Sequence, residues 1–309
     1  MRPARQPGTE VSMKIGAVFP TCDIGSDPAV IRDFAQAAEE LGYDYLLTYD
    51  HVLGAEHAER EPPLTGPYTE RDPFHEPFVL FAYLAALTSH LELATGVIVL
   101  PQRQTALVAK QAAELALLSE GRLRLGIGSG WNWVEYEALG VDFALRGQLL
   151  EEQVELMRAL WSGQVVDHRS AHHRVARANI LPAPPGPIPV WFGGFTPPAV
   201  RRAARIGDGF IFGASNEAMQ RQCQLLHAEL EKNGRAPEQF GIESIVHYSA
   251  GPDGWQSAIE RWQSLGATHF AMRTMDTGAH LAGEEPAGFT RPQEHIDALE
   301  LFIEAVRDD

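Results

Sequence analysis

The chain has 309 residues, 45% of them apolar, and a formal charge of −16. That apolar share suffices for a packed interior, and the acidic balance excludes the basic patches that nucleic acid or an anionic membrane surface requires. No apolar run approaches the roughly 18–20 residues of a spanning helix. The two cysteines, Cys22 and Cys223, are far apart and form neither a metal-type spacing nor a disulfide framework. A reducing, cytoplasmic setting is the expectation. Residues 1–12, "MRPARQPGTEVS", are polar and lack the apolar stretch of a secretion signal. They read as a disordered extension before a single domain over residues 13–309.

In chain order, strand-like and helix-like segments alternate. "KIGAVF" (14–19) is a short apolar strand, and Asp27-Pro28 then opens a helix that Gly42 closes. "YDYLLTY" (43–49) is the second strand. A loop rich in Pro, Gly and charge (52–75) follows, long enough in a compact domain to suggest a functional element such as a lid. A helix is predicted over about 76–89, a strand over 91–100, a helix over about 104–119 and a strand over 122–128. Helical pattern continues through about 133–162. Residues 163–188 break the rhythm and read as a hairpin-like insert with a Pro-rich exit. Strands at 189–194, 208–213, 240–248 and 268–274 then alternate with helices at about 197–206, 215–233, 253–265 and 292–307.

Eight apolar strands alternating with amphipathic helices imply a parallel sheet covered on both faces, and the count is that of a (β/α)₈ TIM barrel with a short insert after the fourth unit. A doubly wound open sheet is the structural rival. In a barrel, chemistry gathers at the C-terminal strand ends. Those ends carry Pro20-Thr21-Cys22, Asp50-His51, Pro101-Gln102-Arg103, Gly128-Ser129-Gly130-Trp131, Gly193-Gly194-Phe195-Thr196, Gly213-Ala214-Ser215, His247-Tyr248 and Arg273-Thr274.

His51 is a candidate general base or hydrogen-bond donor, with Asp50 orienting a neighbour. "GIGSGW" (126–131) and "FGGFT" (192–196) are glycine turns leading into helices, able to present free N–H groups to one phosphate. Glycine as a plain tight-turn residue accounts for either turn alone. A Rossmann reading fails, because the spacing is G-x-G-x-G and the turn follows the fourth strand. Thr196 is the expected N-cap of the next helix, and Arg201, Arg202 and Arg205 could attract an anionic tail. His168, His172 and His173 could bind a metal, but their polar setting favours a solvated hairpin, and no metal is expected.

At these residues the sequence resembles the luciferase-like monooxygenase superfamily, closest to its F420-dependent oxidoreductase branch. The likeness rests on "YLLTYDHV" (45–52), the long segment 93–140, "PVWFGGFTPPAVRRAARIGDGF" (189–210) and "PQEHIDALELFIEAV" (292–306). The resemblance implies a TIM barrel with a bulge in its third strand, where a non-prolyl cis peptide at Gly96–Val97 supports a flavin or deazaflavin ring. It implies His51 as the active-site histidine and a cofactor site made of His51, Thr95, Gly96, Val97, Gly128, Ser129, Gly130, Trp131, Gly193, Gly194, Phe195 and Thr196. Coenzyme F420 is the implied cofactor, with FMN the alternative. The implied partners are a small organic substrate and a second copy of the chain in a homodimer. An FMN-dependent monooxygenase and a non-catalytic flavin-binding protein are the competing functions. One departure bears on the substrate: Trp131 stands where the sugar-phosphate dehydrogenases of the family carry an acidic glutamate, which argues against sugar-phosphate oxidation. Ser129 likewise stands in the place of luciferase's phosphate-binding arginine.

Overall fold

The computed structural model describes residues 13–307; the extension expected over residues 1–12 lies outside the described residues. Eight parallel strand positions close into a ring. Strands β1 (Lys14–Val18), β2 (Tyr45–Thr48), β3 (Glu92–Thr95), β4 (Ile98–Val99) and β5 (Leu123–Gly128) form one half. After the insert hairpin of β6 (Val166–Arg169) and β7 (Arg174–Ala178), the ring continues through β8 (Val190–Gly193), β9 (Gly209–Phe212), β10 (Gly241–His247) and β11 (His269–Arg273). The pairing β3–β5 on one side and β1–β11 on the other leaves no open edge, which removes the doubly wound alternative.

The expected third strand is divided. β3 pairs with β2 and with the start of β5, then the chain bulges at 96–97 and resumes as β4 beside Ile127 and Gly128. At the break, the Thr95 hydroxyl bonds both the carbonyl (2.7 Å) and the N–H (2.8 Å) of Gly126, replacing a ladder rung that the bulge removes.

Helices cover the outside: α1 (Pro28–Glu40), α2 (Pro77–Ala85), α3 (Thr105–Leu118), α4 (Trp133–Ala138), α5 (Arg146–Leu160), α6 (Pro197–Ile206), α7 (Glu217–Lys232), α8 (Gly251–Ser264), α9 (Ala279–Ala282) and α10 (Pro292–Arg307). Asp27 caps α1 as expected, its carboxylate accepting from the Ala29 N–H at 2.9 Å. The helical pattern over 133–162 is two helices. Gly140 at φ +73° ends the first, and Asp142 caps the turn that opens the second.

Apolar faces of strands and helices meet in one large core, and a smaller cluster of Val18, Tyr45, Leu47, Ala94, Trp191, Ile211, Ile245 and Ala271 fills the barrel. Near the N-terminal strand ends the interior holds a charge: Arg124, 2% exposed, bonds Glu92 and Glu243 at 2.5 Å each and lies against the Tyr45 and Trp191 rings. This layer belongs to the end of the barrel that serves stability.

Candidate active site

The two residues that end the second barrel strand are put to different uses. Asp50 turns into the protein. One oxygen accepts from Arg103 Nη2 at 2.6 Å; the other accepts from the Val99 N–H at 2.9 Å and lies 3.3 Å from Arg103 Nε. Arg103 also reaches Glu76, the N-cap of α2, at 2.8 Å. Burial works against the guanidinium charge, but the Asp50 carboxylate outweighs it and raises the Arg103 pKa. The carboxylate of Asp50 is thus fully occupied in pinning the chain directly after the bulge, and nothing in its contacts orients His51.

His51 is oriented by a residue that sequence reasoning missed. Its Nδ1 lies 3.1 Å from Oε2 of Glu135, the two side chains being 8% and 1% exposed. Glu135 sits in the first turn of α4, which Asn132 caps by accepting from the Glu135 N–H at 3.3 Å. The other carboxylate oxygen accepts from the backbone N–H groups of Val52 and of Leu53, the latter at 3.0 Å. Burial alone would raise this carboxyl's pKa, but the His51 hydrogen bond and the two amides hold it below the usual carboxylate value. An ionised Glu135 keeps a proton on Nδ1, so Nε2 is the nitrogen free to give or take one. The signal was present as Asn132-x-x-Glu135, a capping pattern. Here the glutamate reaches across to the end of β2 rather than back to its own cap. Four residues beyond Trp131, it restores a carboxylate to the site.

Three aromatic rings present edges or faces to His51: Tyr68 at 5.1 Å, Phe74 at 5.0 Å and Trp131 at 5.5 Å between ring centres. Tyr68 and Phe74 come from the long loop over 52–75, which is folded down across the barrel mouth. The Trp131 ring meets that loop where it lacks a side chain, since a Cβ on Gly66 would fall 2.3 Å from it. A cavity of about 640 Å³ lies instead at the opposite end of the barrel, lined by Arg158, Trp161, Ile188 and Arg235 at the entries to strands.

The peptide bond Gly96–Val97 is cis, at the bond the resemblance implied. Val97 faces the two glycine turns. A Cβ on Gly128 would lie 2.5 Å from one Val97 methyl, and a Cβ on Gly193 2.7 Å from the other. The turns stand side by side, because β5 and β8 are paired through Ile127 and Phe192. These glycines are therefore required by Val97 itself, and not only by the close approach of an anion. Gly193→Ala should cost about 1–3 kcal/mol through overpacking, and Val97→Ala in the same chain should recover most of it. Urea unfolding of the four proteins in that cycle checks this; purely additive effects would rule out the contact.

The anion-binding capacity remains. The backbone N–H groups of Ser129, Gly130, Gly194, Phe195 and Thr196 have no hydrogen-bond partner among the described residues. Gly130 and Gly194 hold the positive φ values of +60° and +150° that bend the two turns. The Ser129 carbonyl is taken by the Tyr136 hydroxyl at 2.7 Å. Phe195 is 67% exposed beside the turn. Buried polar groups without a partner also occur at or just beyond strand ends: the Thr48 hydroxyl, the Gln102 amide and Arg273 Nε. An open pair of amide-lined turns next to a bulged strand fits a cofactor with an anionic headgroup and a flat ring.

Thr196 is the N-cap residue of α6 as expected, though its side chain makes no capping hydrogen bond. The basic face of α6 is spent between helices: Arg202 and Arg205 pair with Glu151 at 3.0 and 2.5 Å, and Arg201 with Glu229 at 3.4 Å. The Thr95 hydroxyl is consumed by Gly126, so any cofactor contact from this residue must use its backbone. His173 ties the insert to the barrel through Thr105 Oγ1 (2.6 Å) and Glu152 (3.2 Å), and among the described residues no cluster suited to a metal ion occurs.

Residues 8–300 match the luciferase-like monooxygenase family model, and the chain belongs to that family. Among sequence relatives, an uncharacterized protein of Mycobacterium tuberculosis H37Rv is 37% identical over 187 residues, or 59% of this chain and 64% of the relative. An F420-dependent glucose-6-phosphate dehydrogenase of Nocardia farcinica is 30% identical over 253 residues, covering 78% of this chain and 71% of that protein. The chain thus spans about two thirds of the length of the curated relatives it matches. Among solved structures, an F420-dependent secondary alcohol dehydrogenase bound to an F420–acetone adduct superposes with a TM-score of 0.72 at 18% identity, over 96% of this chain and 99% of that one. A monooxygenase from Streptomyces bottropensis superposes with a TM-score of 0.73 at 20% identity, over 95% and 98%. No helix among the described residues is long and apolar enough to cross a membrane.

Proposed function

We propose that this protein is an F420-dependent oxidoreductase acting on a small organic substrate at the C-terminal mouth of its barrel. The observation that carries the reading is the conjunction of a bulged third strand, two adjacent turns with unpartnered amides, and a histidine whose Nε2 is left free beside them. The names of the Nocardia relative and the alcohol dehydrogenase neighbour support it. When bound, F420 supplies hydride donor or acceptor chemistry at its deazaflavin ring.

The chain's own work is to hold and to move a proton. Ser129, Gly130, Gly194 and Phe195 would offer amides to the cofactor's phosphate, and Gly96–Val97 would lie against the ring. Asp50 and Arg103 are positioning residues that fix the bulge. His51, held by Glu135, gives or takes the proton at Nε2. Tyr68, Phe74 and Trp131 keep water from it. The exposed apolar side chains Val79 and Tyr83 of α2 and Leu107 and Leu118 of the adjoining α3 support a homodimer as the working form.

A side-by-side titration of the purified protein with F420, FMN and FAD tests the cofactor. F420 should bind about tenfold or more tighter than FMN, a difference of roughly 1.4 kcal/mol or more. Preferential binding of FMN would transfer the site to the monooxygenase reading, which the Streptomyces neighbour represents.

A further inference from the structure

Arg273 is the last residue of β11 and stands at the same barrel mouth as His51, in register with Val18 on one side and His247 on the other. It is 7% exposed. Its Nη2 donates to the Glu284 carboxylate, and its Nε is buried without a partner among the described residues. A buried guanidinium that offers a planar fork and uses part of it on an internal carboxylate is a ready receptor for another carboxylate. Burial works against this charge, while the neighbouring Tyr49 and Glu284 raise it. Burial also raises the carboxyl of Glu284 in spite of Arg273, so the carboxylate occupying the fork is itself penalised there.

Glu284 arrives on a short loop segment beside the mouth. It follows α9, a single turn bounded by Gly278 at φ +82° and Gly283 at φ +73°. Gly278 packs against the long loop, a Cβ there falling 2.9 Å from Pro67. That loop also carries Tyr68, whose ring edges His51 and whose hydroxyl feels the Arg273 charge. The two loops and Glu284 thus close the mouth together. Arg273 is also placed away from the glycine turns: β11 lies halfway round the ring from β5 in either direction. A headgroup held at Ser129 and Gly194 leaves Arg273 on the far side of the mouth, the side open to substrate.

We propose that the substrate carries an anionic, carboxylate-like group, that Arg273 recognises it, and that Glu284 is an internal stand-in which the substrate displaces. This rests on the mouth being the active site as read above. The shared chemistry could also serve an acidic tail on the cofactor, and the experiment separates the two.

Benzoate and its neutral isostere benzamide are the probes, titrated into cofactor-free protein with tryptophan fluorescence as the readout. Glu284→Gln should tighten benzoate about tenfold and leave benzamide unchanged. Arg273→Gln should abolish the preference for benzoate, and Arg273→Lys, which keeps the charge, should retain part of it, with the circular dichroism spectrum of each variant matching wild type. Equal binding of the two probes to Glu284→Gln, or no benzoate binding to it at all, overturns the proposal. F420 titrated into Arg273→Gln should bind as it does to wild type; a tenfold or greater loss would assign Arg273 to the cofactor tail and overturn the substrate role. If wild type binds no F420 while the benzoate preference follows Arg273 and Glu284, the cofactor reading fails and the anion site stands.

Discussion

His51→Ala protein should bind F420 as the wild type does and lose about 10²–10⁴-fold in turnover, the range that a positioned general acid–base supplies. The expectation follows from the ring's two nitrogens having separate tasks. Nδ1 is committed to Glu135 at 3.1 Å, and the rings of Tyr68, Phe74 and Trp131 hold the imidazole in place, so Nε2 cannot change role with its twin. Because the histidine lies beside the amide-lined turns rather than within them, its removal should leave headgroup affinity intact. Stopped-flow measurement of cofactor reduction with any accepted substrate gives the rate, and a separate titration gives the affinity. Undiminished turnover in protein that still binds cofactor would remove His51 from the chemistry. Lost affinity with an unchanged rate at saturation would make it a binding residue.

Glu135→Ala should destabilise the fold by about 3–5 kcal/mol, the usual cost of deleting one partner of a buried charged network. Three donors converge on this carboxylate: His51 Nδ1 and the amides of Val52 and Leu53. Alanine leaves all three without an acceptor in a site that excludes water. The effect has a definite pH dependence. The folded pKa lies below the ordinary value of 4.5, so the stabilisation is complete above that value and disappears as pH falls through the folded pKa. The gap in unfolding free energy between wild type and variant should therefore be full at neutral pH and narrow only once the pH has fallen below the ordinary carboxylate value. Urea denaturation at a series of pH values measures it, and a gap that stays constant into acid would contradict an ionised Glu135. Turnover should fall in the same variant, since His51 loses the group that fixes its tautomer.

Much of the architecture was legible in the sequence because it is written in local pattern. Strand–helix alternation gave eight units, Asp27-Pro28 opened the first helix, and the broken rhythm over 163–188 marked the β6–β7 hairpin. The helical pattern over 133–162 hides its own break, because apolar spacing continues across Gly140 and Asp142, where a positive φ and a cap interrupt it. The one-turn α9 is too short to show a period. The placement of Asp50 and His51 at the mouth followed from their address at a strand end. Arg103 shares such an address, but its pairing with Asp50, 53 residues away, did not show, and Glu135, 84 residues from His51, was missed altogether; ring closure brings both in. The glycine turns were located correctly but for an incomplete reason, since the need to make room for Val97 arises from a bulge whose side-chain direction no periodicity encodes.

The crowding around His51 has a kinetic consequence. Tyr68, Phe74 and Trp131 pack their rings about the imidazole, the first two carried by the long loop over 52–75. A reactant reaches this histidine when that loop parts, and the loop must part again for the product to leave. Capture and escape are then loop motions on the microsecond-to-millisecond scale, slow enough to compete with chemistry for control of the cycle. Selectivity among substrates would be exerted partly at the doorway, by which molecules pass while the loop stands open.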